Sequence, residues 1–380
     1  MTLGSASYHE DTGRSEAVAS TWLGLDPSTW LISRHHRQAS GSLRGDGSGC
    51  VRRTQMAGFE KVLYLVDGED STTDAMRLAV ARARSLGAEV TFASVVAPYR
   101  SSLLGGSIAP ERLEQLCVES EAERLEQLVD PLRGPGVRIS TRVLIGDPAA
   151  TIVQAAVTDD YQMVWKAPAE ESRGLRERFL GSVDLRLIRA CPYPVAIVGA
   201  HRPEEGRRVT AAAVDVNPGP GRDEVNESLN LRILDLSRAG LAENDTRLHI
   251  IHAWTLYGES IMRSPRAHVA PEELKALLEK ERAGRQQKLE ELVERYRETL
   301  SASERDRFTP ELHLVKGEPS SVIPSELERL GVDLLIMGTI ARTGVTGFVL
   351  GNTAEKILSR LECSVVATKP EGFVTPVHIA

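Results

Sequence analysis

Val332-Asp333-Leu334-Leu335-Ile336-Met337-Gly338-Thr339-Ile340-Ala341-Arg342-Thr343-Gly344-Val345-Thr346-Gly347-Phe348-Val349-Leu350-Gly351-Asn352-Thr353 begins as a strand and ends as the first turn of a helix. Its apolar run Leu334–Met337 is too short for a globular helix and shows no polar alternation, so it reads as a strand buried on both faces. Small residues dominate from Gly338 to Gly347. Ala354, Ile357, Leu358 and Leu361 then recur at helical spacing, with Asn352 as the expected N-cap. Ser364–Ala367 supplies a second buried strand, parallel to the first. A strand, a glycine loop and a helix start in this order make an anion site. Small residues let backbone approach a phosphate, and the first turn offers unpaired N–H groups at the positive end of the helix.

Upstream, the same alternation recurs. Lys61–Val66 reads as a buried strand ending at Asp67, Ser71–Leu86 as an amphipathic helix stopped by Gly87, and Glu89–Val96 as the next strand. A charged helix over Glu111–Leu132, a strand over Val137–Leu144, a helix from Pro148 to Ala156 and strands at Met163–Trp165 and Val195–Val198 follow, the last preceded by a helix opening at Gly181-Ser182. Strands alternating with helices imply an open parallel sheet covered on both faces. The second half repeats the plan. Gly317-Glu318-Pro319 echoes Gly146-Asp147-Pro148 at an offset of 171, Gly351-Asn352 echoes Gly181-Ser182 at 170, and Cys363 echoes Cys191 at 172. Asp67 and Asp215 are only 148 apart, so the second copy carries roughly 23 extra residues, many of them in a helix over Pro271–Leu300. The chain is a tandem duplication.

These residues resemble the universal stress protein family in its tandem two-domain form. Its nucleotide signature is G-x-x-G, nine residues, then G and Ser or Thr. Gly338, Ala341 and Gly351 keep the spacing, with alanine in place of the second glycine and Asn352 in place of the hydroxyl residue. The resemblance implies two flavodoxin-like, Rossmann-like (HUP-type) α/β domains. Each is a five-stranded parallel sheet of order 3-2-1-4-5 with helices on both faces, and the two are packed as an internal pseudo-dimer through their fifth strands. The expected divisions are a flexible extension over 1–55, domains over 56–201 and 206–372, and a tail over 373–380. Met56 immediately precedes the first folded pattern, so translation from Met1 or from Met56 stays open.

By the same resemblance, ATP or a related adenine nucleotide would sit in the second domain. Asp215 would meet the adenosine end, and Gly338, Thr339, Ala341, Arg342, Gly351, Asn352 and Thr353 the phosphates, with no metal beyond a nucleotide-bound Mg. The weaker first-domain equivalents are Asp67, Lys166, Gly181 and Ser182. There, Lys166 is aligned with Gly338, and Ala167-Pro168-Ala169 replaces the glycine loop. Proline has no N–H and non-glycine residues resist positive φ, so degeneration of that cradle is favoured over Lys166 acting as a phosphate-binding charge.

Composition narrows the rest. A net charge of −7 and only 4% aromatic residues argue against general nucleic-acid binding. No apolar run is long enough to span a membrane. Cys50, Cys117, Cys191 and Cys363 are too dispersed for a zinc knuckle or disulfide framework and read as reduced cytoplasmic thiols, with burial expected for Cys191 and Cys363. His249 and His252 fall on opposite faces of one strand and are not expected to share a metal, and His35-His36 has no nearby ligand partner. No triad, paired-carboxylate motif or P-loop occurs, so the expectation is a ligand-binding stress-response protein and not an enzyme. A non-nucleotide carrier or interaction scaffold is the main alternative, and a slow ATPase a third.

Overall fold

Apolar residues on both sides of every central strand require a sheet with helices on each face. The computed structural model describes residues 59–68, 73–98, 109–168, 180–199, 208–217, 223–240, 246–339 and 350–379. The first half runs β1 (Lys61–Leu65), α1 (Thr73–Leu86), β2 (Glu89–Val96), α2 (Pro110–Val129), β3 (Ile139–Ile145), α3 (Pro148–Thr158), β4 (Met163–Lys166), α4 (Ser182–Ala190) and β5 (Val195–Ile197). The second runs β6 (Arg208–Ala213), α5 (Asp223–Gly240), β7 (Thr246–Trp254), α6 (Glu259–Met262), α7 (Pro271–Thr299), α8 (Ala302–Arg307), β8 (Glu311–Lys316), α9 (Pro319–Leu330), β9 (Leu334–Gly338), α10 (Asn352–Leu358) and β10 (Ser364–Thr368).

All ten strands join one sheet of order β3-β2-β1-β4-β5-β10-β9-β6-β7-β8. Each half therefore has the order 3-2-1-4-5 expected of a flavodoxin-like domain. The halves meet through their fifth strands, where β5 and β10 pair antiparallel with Val366 opposite Ala196. Along β1 the side chains alternate. Leu63 and Leu65 enter the apolar layer under α3, α4, α9 and α10, whereas Val62 and Tyr64 enter the layer under α1, α2, α5 and α7. Both layers draw residues from both halves.

Several expectations shift. The helix expected to run to Leu132 ends at Val129 and tightens into a 3-10 turn over Asp130–Leu132, because Pro131 has no N–H to continue the ladder. Asn352 is the first helical residue and not the N-cap. Gly351 has extended dihedrals and its carbonyl already accepts the first helical bond, from Glu355 N–H. The second-half insertion is shared among α6, a 3-10 turn over Pro265–Ala267 and the 29-residue α7. Leu289, Leu292, Val293 and Tyr296 bury the C-terminal half of α7, while Leu277 in its first half is exposed.

Register also moves one correspondence. Lys166 lies opposite Leu65, two residues before Asp67, and Met337 lies opposite Ala213, two residues before Asp215. Lys166 is thus the counterpart of Met337, and Ala167 that of Gly338. Loop gaps are hard to align from sequence, but the ladder between adjacent strands leaves no choice. The segment 1–58, which includes Cys50 and the His35-His36 pair, lies outside the described residues.

Candidate functional site

In an open α/β sheet the crevice for a ligand opens beyond the carboxyl ends of the strands, where neighbouring strands send their chains to opposite sides. In the second half that point lies between β6 and β9. Asp215 follows β6, and Gly338 ends β9. Asn230 of α5 brackets the Asp215 backbone, accepting its N–H at 3.0 Å and donating to its carbonyl at 2.9 Å. The Asp215 carboxylate accepts from the backbone and side-chain N–H groups of Asn217 at 3.0 and 2.6 Å, an Asx-type turn that fixes its direction.

The two ends of the glycine loop are brought together. Gly351 N–H donates to the Thr339 carbonyl at 3.0 Å, and Thr339 N–H donates to the Thr368 carbonyl at 3.1 Å. The Thr339 hydroxyl is buried and also donates to Thr368 O at 3.3 Å, so it serves the fold. Gly338 has a packing reason to lack a side chain, since a Cβ there would lie 2.7 Å from Leu229 Cδ2 of α5. Asn352 and Thr353 are exposed at the start of α10, whose N-cap residue, Gly351, has no side chain with which to cap it. Ala341 and Arg342 lie outside the described residues. What is present fits a phosphate-bearing ligand: an uncapped helix start, a small residue at the strand end, and a fixed carboxylate across the crevice.

The first half has the same frame with different chemistry. Lys166 is buried at 3% exposure, with its Nζ 3.0 Å from Asp184 Oδ1, 3.3 Å from Asp67 Oδ2 and 2.9 Å from the carbonyl of Ala167. Asp184 itself is fully buried and accepts from Gly181 N–H at 2.8 Å. Two carboxylates thus face the one ammonium group at the place corresponding to the end of β9 and the start of α10. The second half has Met337 and Ala354 in the corresponding positions, so neither member of the buried pair recurs there. Ser182 is exposed at the start of α4. Beside Asp67, a groove runs past Gly68, Ser94, Glu121 and Arg124. Arg124, with help from Ser94, holds the Glu121 carboxyl below the usual carboxylate range.

Both expected structural cysteines are poor nucleophiles. Burial pushes the Cys191 thiol up to about 11 and the Cys363 thiol up to about 12, whereas Cys117 is exposed on α2. His249 and His252 do face opposite ways, and His252 Nδ1 lies 3.1 Å from the Val214 carbonyl. Folding nevertheless gathers a cluster that no linear motif announces. His249 on β7 is in register with Glu311 on β8, and His313, two residues on, shares their face. The signal lay in β8 itself, where Glu311 and His313 alternate with apolar Leu312 and Leu314 in an edge strand.

Comparison with known proteins matches residues 58–199 and 235–369 to the Universal stress protein family. Universal stress protein E of Salmonella typhi is 25% identical over 327 residues, spanning 85% of this chain and 98% of that protein. Universal stress protein E of Escherichia coli (strain K12) is 24% identical over the same shares. Among solved structures, a functionally unknown protein from Pseudomonas aeruginosa PAO1 has a TM-score of 0.57 at 23% identity, covering 82% of this chain and 93% of that one. A universal stress protein from Archaeoglobus fulgidus DSM 4304 has a TM-score of 0.51 at 17% identity, covering 82% and 97%. These structural likenesses concern the fold.

Proposed function

Since this chain belongs to the universal stress protein family, we propose that it is a cytoplasmic stress-response protein that binds an adenine nucleotide in its second half. Asp215 takes the adenosine end. The loop from Gly338 to Gly351, including Ala341 and Arg342, and the first turn of α10 with Asn352 and Thr353 take the phosphates. The bound nucleotide supplies a signal of cellular energy state, and the protein supports survival under starvation, oxidative or DNA-damaging stress. The observation that carries this reading is the asymmetry of the two copies. A buried Lys166–Asp184 pair fills the first cradle, while Gly338, Met337, Ala354 and an uncapped helix start stand in the second. No helix among the described residues is long and apolar enough to cross a membrane.

Calorimetric titration of the full chain with ATP and Mg tests the site. Gly351 has φ −65°, which any residue adopts, so Gly351→Val probes steric approach to the ligand and not backbone strain. That variant is expected to abolish binding with the melting transition retained. Ala341→Gly, which restores the glycine of the family signature, is expected to tighten ATP up to roughly tenfold, or about 1 kcal/mol. Gly181→Val is expected to leave ATP affinity unchanged. Absence of binding in both the wild type and Ala341→Gly would retire the nucleotide reading.

The carrier reading has one observation of its own. A mainly apolar groove crosses the seam between the halves, lined by Trp165, Ala196, Leu334 and Val366 from the strands and by Leu78 and Leu236 from the helices. Mass spectrometry of small molecules released by denaturing the purified protein separates the two readings, since a retained apolar compound without nucleotide would favour the carrier.

A further inference from the structure

The cluster at the outer end of the sheet is far in the topology from the β6–β9 crevice. Glu311 is the first residue of β8, and the crevice lies beyond the opposite, carboxyl ends of the strands. Strand parity places His249 with Ile251 and Ala253 on the face covered by α9, and it places His252 on the other face. His249 is 4% exposed, and its Nδ1 lies 2.8 Å from His313 Nε2 and 3.7 Å from Glu311 Oε2. The two rings are tilted by 55° with centroids 4.9 Å apart, which is not a stacked pair. One atom from each of His249, Glu311 and His313 falls within 4.8 Å of the others.

From these residues we propose that His249, His313 and Glu311 form a binding site for a first-row divalent transition-metal ion, with zinc the best fit. Two imidazole nitrogens and one carboxylate oxygen are a donor set that zinc takes with its fourth position left for water. Tetrahedral ligation with Zn–N near 2.0–2.1 Å separates two ligand nitrogens by about 3.3 Å, so the imidazoles need to part by only about half an ångström. Glu311 is exposed at the edge strand and its side chain is free to swing onto the ion, leaving the open position toward solvent.

The surrounding groups favour the same assignment. His313 Nδ1 lies 3.2 Å from Glu326 Oε1 on α9, the carboxylate–histidine arrangement that fixes which nitrogen faces a metal. With the Nδ1 proton given to Glu326, the Nε2 lone pair points at His249. Glu326 is in turn gripped by both ends of the Arg329 guanidinium, at 2.6 and 2.8 Å. With His313 in that tautomer and no ion bound, His249 Nδ1–H donates to His313 Nε2. An ion takes the place of that proton, and His249 then carries its proton on Nε2. Metal binding would cross-link β7 to the edge strand β8 and, through His313 and Glu326, to α9.

The test uses the full chain, stripped with a chelator and titrated with ZnCl2 and, separately, with CoCl2. Saturable binding of one ion is expected, together with the intense visible absorption of four-coordinate cobalt. His313→Ala is expected to weaken zinc by at least about 100-fold. Glu326→Gln, which leaves all three ligands in place, is expected to weaken it by roughly 10–100-fold. Because His249 is buried and its replacement could unfold the protein, the exposed Glu311→Gln serves as the second ligand variant, with weaker binding expected at an unchanged metal-free melting temperature. No saturable zinc binding, or binding that His313→Ala and Glu311→Gln leave intact, would overturn the site. ATP titration in parallel reports on the crevice independently.

Discussion

Lys166 shows how one residue can change the chemistry of a strand end. Its ammonium is buried with Asp184 and half-exposed Asp67, and a buried charge left without its counter-charge is costly. Lys166→Met should therefore destabilise the protein by about 3–5 kcal/mol in chemical denaturation, because Asp184 would remain buried. Adding Asp184→Asn should recover most of that loss. Asparagine removes the charge and keeps an oxygen for the Gly181 N–H. If the single and double variants were equally unstable, the ion pair would not be the reason for the loss. The second half has Met337 and Ala354 at the corresponding positions, so the buried pair does not recur there.

Among the elements, β10 carries the most consequence for its length. Its five residues pair with β9 on one side and three of them pair with β5 on the other, turning two sheet edges into an interior seam. Side chains reinforce it. Lys369, just after β10, donates to the carbonyls of Ile188 and Cys191 at the C-terminal end of α4, at 2.5 and 2.8 Å. Burial pulls that lysine down to about 8, while the negative end of α4 is a natural site for its charge. Val366 is 7% exposed opposite Ala196, and Val366→Lys would place an unpaired ammonium in the seam. The variant should lower the denaturation midpoint markedly and change the small-angle scattering profile. Unchanged stability and scattering would rule out the seam as a stabilising contact.

At the scale of the whole molecule, the ten-stranded sheet makes the two copies share their cores. One apolar layer joins Leu63 and Ile188 to Leu335 and Val365, and the other joins Tyr64 and Trp165 to Ile336 and Val366. Two domains that only touched at a polar interface would melt separately. Here the halves should unfold together, giving a single calorimetric transition whose van't Hoff and calorimetric enthalpies agree. Two resolved transitions would show that the seam does not couple them.

Local chemistry alone determined much of this protein. Buried runs such as Leu334–Met337, the Gly-x-Pro helix starts after β3 and β8, and the repeated Asp67 and Asp215 made the alternation and the duplication readable, because strand, turn and helix signals depend on near neighbours in the chain. The difference between the two loops was visible for the same reason, in Pro168 and the missing glycines. Tertiary structure decided what depends on pairing across long separations. The register of β4 against β1 moved Lys166 onto the position of Met337, and Asp184, 18 residues further along the chain, proved to be its counter-charge. The register of β7 against β8 brought His249 to His313 across 64 residues, where spacing within either strand alone gave no sign of the other. A period of two fixes the face on which a side chain lies, but only the hydrogen-bonded ladder fixes which side chain stands beside it.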